Sequence, residues 1–273
     1  MPLLVCRRVG IVAAAWAAVV VCAVPAAAQY QQSTTAVGER YKVEAALALW
    51  DADPSLLVSS ESLGIPGTDV DLINDLGIEK KRLTELRVVL RPATKHKFRF
   101  NYMPLKYEAE ALVQREFIFN GQRYRVGLPV QTTADFTTYR FGYEYDFIYR
   151  AQGYVGVLVD LKYTNASLNL DSPIGAEFTE QGAPIPSIGV AGRGYLVPNV
   201  SITGEVTFFK IPDNLSDEFG GRYFDYDFYG TFNFTDNVGA QLGVRKVDVQ
   251  YFRNLDRGEL TFTGWYMAGV VRF

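Results

Sequence analysis

The chain has 273 residues, of which 27 are Lys or Arg and 30 are Asp or Glu, for a formal net charge of −3 at pH 7. That mild acidity argues against a nucleic-acid partner, which would need a basic face. Both cysteines, Cys6 and Cys22, precede Ala28, so the chain beyond Ala28 offers no thiol for a disulfide, a nucleophile or a metal site.

Arg7 and Arg8 precede an apolar run from Val9 to Val24, and Ala26, Ala27 and Ala28 supply small residues for cleavage. Residues 1–28 therefore read as a secretory signal peptide. A lipobox would need a small residue where Val21 stands. Twin-arginine export, which Arg7 and Arg8 could suggest, carries folded cargo. Residues 29–38 are polar and read as a flexible lead-in. Beyond residue 28 no apolar run approaches the ~20 residues of a membrane helix. The 14% aromatic content and 17 tyrosines suit a β surface with belts at two membrane interfaces.

From residue 39 onward the chain reads as successive strands, because apolar and polar residues alternate at period two. The first, about Arg40 to Trp50, turns Tyr41, Val43, Ala45, Leu47 and Leu49 to one face and Lys42 and Glu44 to the other. A long loop, Asp51 to Ile78, follows. The second strand, Glu79 to Arg91, opposes Thr84, Leu86, Val88 and Leu90 to Glu85, Arg87 and Arg91. After a tight turn at Pro92 to Lys95, the third opposes Phe98, Phe100 and Tyr102 to Lys97, Arg99 and Asn101. Strand-like sequence resumes from Val113 to Phe119 and meets Asn120-Gly121, a strong two-residue hairpin signal. With Pro104 and Pro129 marking bends or edges, this predicts a hairpin projecting beyond the membrane.

The fourth strand, Asp135 to Tyr149, sets six aromatics (Tyr139, Phe141, Tyr143, Tyr145, Phe147 and Tyr149) against Arg140, Glu144 and Asp146. The fifth sets Val155, Val157, Val159, Leu161 and Tyr163 against Asp160 and Lys162. A longer loop is expected from Leu170 to Pro184. The sixth strand has Ile188, Val190 and Leu196 opposite Arg193 and Tyr195. The seventh has Val200, Ile202, Val206 and Phe208 opposite Thr203, Glu205 and Thr207. In the eighth, within Arg222 to Thr235, Phe224, Tyr226, Phe228, Phe232 and Phe234 oppose Tyr223, Asp225, Asp227, Tyr229, Thr231 and Asn233. In the ninth, Val238 to Phe252, the apolar phase switches between Val244 and Val247, which reads as a β-bulge near Arg245-Lys246. A last strand ends at Phe273.

Connections alternate long and short, with the short ones at Pro92, Arg150, Pro198 and Asp236. Short periplasmic turns, longer outer loops and an even strand number characterise bacterial outer-membrane barrels. The fold class is therefore all-β: a transmembrane, antiparallel, up-and-down β-barrel over residues 39–273, of about ten strands, with eight or twelve as alternatives. The C-terminal run Trp265-Tyr266-Met267-Ala268-Gly269-Val270-Val271-Arg272-Phe273 resembles that of bacterial outer-membrane β-barrel proteins. These end in an aromatic residue preceded by apolar residues at alternate positions, here Val271, Met267 and Trp265, with Gly269 departing from the pattern. The resemblance implies recognition by the barrel-assembly machinery, with Phe273 as the terminal signal. It further implies residence in the outer membrane among lipid and lipopolysaccharide, and the chain reads as a monomer there.

The inward set is densely charged. Lys42, Glu44, Glu85, Arg87, Arg91, Lys97, Arg99, Arg140, Glu144, Asp146, Asp160, Lys162, Arg193, Glu205, Asp225, Asp227, Arg245 and Arg272 are expected to line the lumen. Confined charges persist only when paired or hydrated, so the lumen is either filled by salt bridges, giving a structural barrel, or a narrow passive pore for ions and small polar solutes. A lipid-modifying enzyme is the alternative from another class. The single histidine, His96, is placed at a periplasmic turn among Lys95, Lys97 and Arg99, without an acidic neighbour in sequence, and no residue is assigned a catalytic role. A surface-binding protein acting through the Asn120-Gly121 hairpin is a further alternative. Asp69, Asp71, Asn74 and Asp75 form an acidic loop cluster whose spacing does not match an EF-hand, so no metal or cofactor is expected. Gly189, Gly192 and Gly194 read as small positions against neighbouring side chains.

Overall fold

A computed structural model describes residues 39–60, 67–212, 219–253 and 256–273, apart from the side chains at 180, 181, 183 and 253. The expected signal peptide and lead-in lie outside these residues. The strands are β1 (Val43–Ser59), β2 (Val70–Asp71), β3 (Leu83–Ala93), β4 (His96–Leu112), β5 (Phe117–Phe119) and β6 (Gln122–Tyr124). They continue with β7 (Pro129–Arg150), β8 (Gly153–Ser172), β9 (Gly175–Val197), β10 (Val200–Lys210), β11 (Phe219–Asn233), β12 (Val238–Arg253) and β13 (Asp256–Arg272). Ten of these form the wall, each antiparallel to the next: β1, β3, β4 and β7 to β13. The wall closes where β13 pairs with β1, from Glu44↔Arg272 to Ser59↔Arg257. Closure leaves no continuous sheet edge. β2 adds two residues to β1, while β5 and β6 form a separate hairpin.

Both ends of the wall chain meet at the short-turn end, where the Phe273 N–H donates to the Val43 carbonyl at 2.8 Å. From there the outward side chains are apolar for about nine residues up each strand. At ~3.3 Å per residue and a tilt of ~40°, that band is roughly 25 Å tall, the height of a lipid-facing belt. Leu47, Phe98, Phe141, Val159, Ile188, Phe228, Leu242 and Met267 are exposed on it. Above the band the outward positions turn polar: Asp53, bridged to Lys80 at 2.7 Å, Lys106 beside Glu108 at 2.6 Å, and Arg222 beside Asp248 at 3.3 Å.

The walls are of unequal height, and the prolines mark where. Pro54 follows the last β1–β3 pair, Trp50↔Leu83. Pro104 follows the last β4–β3 pair, Leu86↔Tyr102. Pro186 and Pro184 lie beyond the last β9–β10 pair, Phe208↔Ile188. Each stands where one neighbouring strand has ended, so its missing N–H breaks no ladder.

Several sequence expectations are corrected. β1 runs on to Ser59 where a loop was expected from Asp51, whereas residues 79–82 precede β3. The stretch from Leu170 to Pro184 is not a loop. β8 and β9 stay paired to Ser172↔Gly175 and turn tightly at Pro173-Ile174. No register shift occurs at Arg245-Lys246. Val247, Val249 and Tyr251 face inward because the upper interior is apolar, which the assumption of a uniformly polar lumen missed. Register irregularities fall instead between Leu90 and Ala93, between Val200 and Ser201, and between Asp146 and Ile148. The last of these turns Tyr149 inward, where the Arg91 guanidinium lies 4.9 Å from its ring centroid. Tyr41 is buried inside rather than facing lipid, and Lys42 is exposed, because both precede the first ladder position of β1.

The Asn120-Gly121 hairpin forms as expected, with φ of 48° at Asn120 and 79° at Gly121, the positive pair of a type I′ turn. It does not project freely. Phe117, Phe119 and Tyr124 are buried, with Phe117 stacked on Tyr124 at 4.9 Å. The Asn120 N–H donates to the Ser60 carbonyl at 3.2 Å and the Thr68 N–H to that of Ile118 at 2.9 Å. The hairpin therefore folds back with the first outer loop, joining Leu72, Leu76 and Ile78 in one apolar cluster over the mouth.

Candidate functional site: the barrel interior

Strand geometry sends every second side chain inward, so charged residues two apart on one strand stack along the bore. Nearest the short-turn end, Glu39 enters the barrel ahead of β1. Its carboxylate meets Arg91 at 3.1 Å and Arg193 at 3.0 Å, and accepts from the Tyr195 hydroxyl at 3.2 Å. Glu44 pairs with Arg272, which also donates to Asn233 at 2.6 Å.

Higher up, Lys97 bridges Glu144 and Asp146, each at 2.9 Å, with its ammonium 3.1 Å from the Tyr154 ring centroid. Arg99 contacts Glu144 and Glu205. Arg140 contacts Glu205 from the other side and Asp160 at 2.7 Å. Lys162 donates to Ser187 at 2.6 Å and Thr207 at 2.9 Å and lies 3.3 Å from Asp160. Across the bore, Arg245 bridges Glu85 and Asp225, both at 2.8 Å. Arg87 bridges Glu85 at 2.7 Å and Asp227 at 3.0 Å, and the Tyr266 hydroxyl donates to Asp227 at 2.8 Å.

Small residues make room for these contacts. A Cβ on Gly142 would lie 2.2 Å from the Asp160 carboxylate. Gly189 behaves likewise, with the Val206 carbonyl oxygen 2.1 Å from its virtual Cβ, whereas Gly194 has nothing within 4 Å and is not small for that reason. We expect Gly142→Leu to displace Asp160 from Arg140 and to lower the unfolding midpoint of the refolded barrel in urea; an unchanged midpoint would show that the site has slack.

Among the described residues, the predicted lumen residues Glu44, Glu85, Arg87, Arg99, Arg140, Glu144, Asp146, Asp160, Arg193, Glu205, Asp225, Asp227 and Arg245 all sit inside the wall, joined by these bridges. Lys42 does not. Sequence reasoning missed Glu39, which precedes any alternating pattern, and did not single out the inward aromatics Trp50, Tyr154 and Tyr266, although each stands one position from an outward residue, Leu49, Val155 and Trp265, and so on the opposite face. Trp50 is 1% exposed, with Arg245 5.4 Å from its ring centroid and Phe262 at 6.3 Å. Above it the ionic interior gives way to Met103, Leu105, Phe136, Val247, Leu260 and Phe262. Among the ion pairs and just above them the voids are small, about 40 Å³ each, space for roughly one to three waters.

His96 sits on the outer wall at the short-turn end, its Nδ1 2.6 Å from the Tyr143 hydroxyl and its ring among Tyr143 and Tyr145. The acidic loop cluster is internally satisfied. Asp71 Oδ1 accepts from the Ile73 N–H at 2.9 Å, and Asp75 is bridged by Arg115 at 2.7 Å. Burial pushes the Asp75 carboxyl up, but hydrogen bonds from Arg115 and the Asp71 N–H outweigh it and hold it below its usual 3.8. A depressed carboxyl contributes stability above its unfolded value and loses it as pH falls through the folded one. Protection of the Asp71 amide against hydrogen exchange should therefore drop below pH 3.8 in the native protein and be pH-independent, after correction for intrinsic exchange, in Asp75→Asn.

No family model matches the sequence, and no curated protein matches it. Solved structures do. The outer membrane protease OmpT from Escherichia coli superposes with a TM-score of 0.57 at 9% identity, over 85% of this chain and 96% of that one. The Pseudomonas putida toluene transporter TodX (TM-score 0.35, 8% identity) and a Pseudomonas aeruginosa FadL homologue (0.36, 7%) each align over 85% of this chain and 90% of their own. Their overlap is too loose to bear on detail. The likeness to OmpT is one of fold: the chain is a closed antiparallel β-barrel of the kind found in bacterial outer membranes.

Proposed function

We propose that this protein, exported through residues 1–28, is a monomeric outer-membrane barrel whose lumen is closed by its own side chains and which serves a structural role in the wall rather than passing solute. The observation that carries this reading is the pairing of interior cations with interior carboxylates around voids of only about 40 Å³. Planar-bilayer recordings of the refolded chain should be silent at ordinary potentials. Steady stepwise conductance would overturn the reading in favour of a narrow ion pore. The activity in OmpT's name is not carried over, because the sole histidine bonds to a phenol, Tyr143, and not to a carboxylate.

Assembly is the second part of the proposal. Phe273 is 74% exposed at the short-turn end, open to the assembly machinery, and its carbonyl accepts from the Lys42 N–H at 2.7 Å, which ties the end of β13 to the start of β1. Deletion of Phe273 should slow assembly severalfold in cells while leaving refolding in detergent nearly unchanged. Equal slowing in both settings would assign Phe273 to the seam alone.

A further inference from the structure

Above the ionic interior the barrel has a side window. β10 ends at Lys210, opposite Arg222, while β9 continues past Ser187 with no strand on that side among the described residues. Behind the gap lies a cavity of about 230 Å³, bounded by Ile185, Phe209, Tyr223, Val249, Tyr251 and Leu260. Its floor is the Tyr223 ring: the Tyr223 hydroxyl donates to Asp225 at 3.2 Å, and the ring lies 4.4 Å from the Lys162 ammonium. Arg222, the cation among the described lining residues, is turned outward to Asp248.

Two features of the described banks bear on this gap. Pro184 and Pro186 remove amide donors from the free edge of β9, so another strand cannot pair there. On the opposite bank, Gly221 brings no side chain of its own, while the Phe252 ring fills the space over Gly220. We infer that this cavity is a binding site for an uncharged apolar molecule of about eight carbons, entering sideways at the upper border of the lipid-facing belt. A cavity of ~150 Å³ lined by apolar side chains holds benzene, so this one takes a substituted ring or a short chain. An anion would find no unpaired cation among the described lining residues. The inference goes beyond the closed-lumen reading and does not depend on it, since the cavity lies above the ion pairs.

The test uses the full mature chain in dimyristoylphosphatidylcholine nanodiscs with hexafluorobenzene as probe, followed by ¹⁹F NMR. We expect a saturable bound resonance with magnetisation transfer to the Val249 and Leu260 methyls, displaced by n-octane but not by octanoate. Val249→Trp and Ile185→Trp, which fill the cavity from different walls, should weaken binding tenfold or more. Absence of a saturable signal, absence of transfer to those methyls, or equal binding by a folded filling variant would overturn the inference; the wild-type transfer decides it should neither variant fold.

Discussion

Glu205→Ala is expected to destabilise the refolded barrel by about 3–5 kcal/mol, the cost of removing one partner from a buried charge cluster. Glu205 lies between Arg99 and Arg140 and contacts both. Its loss leaves two guanidiniums facing each other with only Glu144 and Asp160 to share. Removing a cation together with the anion is far milder. In Arg140→Met/Glu205→Leu, Arg99 keeps Glu144 and Asp160 keeps Lys162, so the double variant should recover more than half of the loss. Urea unfolding in lipid vesicles, followed by tryptophan fluorescence, measures both. A single-variant loss below about 1 kcal/mol, the value of a solvated pair, would mean that the bore is hydrated.

Trp50→Ala should cost a similar 3–5 kcal/mol by a different route, the cavity left by a large buried ring. Trp50 separates the ionic interior from the apolar one, with Arg245 against its face and Phe262 beside it. Trp50→Phe keeps part of the volume and an aromatic face, and should lose less than half as much. Within residues 39–273 the tryptophans are Trp50 and Trp265, so Trp50→Phe also removes the buried emitter and leaves the lipid-facing one. Its emission spectrum should be that of Trp265 alone and should respond to brominated lipid. If the spectrum is unchanged from wild type, Trp50 is not where the structure puts it.

Period-two alternation made most of the wall legible, because the direction of a strand side chain depends only on its own backbone. The faces of β3, β8, β10 and β11 were read correctly from residues such as Leu86 against Glu85 and Phe228 against Asp227. The pattern misled where its premise failed. Val247, Val249 and Tyr251 looked like a phase error and are instead the lining of an apolar chamber. Pro184 looked like the end of a loop and lies instead, with Pro186, on a free strand edge.

What the sequence determined by itself is the alternation that sets ions on one face of the wall and an apolar belt on the other, a wall of about ten strands, and the short turns at one end. These follow from local backbone geometry and turn chemistry. Which ion meets which was decided only by the closed tertiary structure: Glu205 with Arg99 and Arg140, or Glu39 with Arg91 and Arg193, join residues 52 to 154 positions apart. Those contacts depend on the stagger of ten strands around a cylinder. So do the folding of the Asn120-Gly121 hairpin over the mouth and the side window beside β9, because both arise where neighbouring walls differ in height.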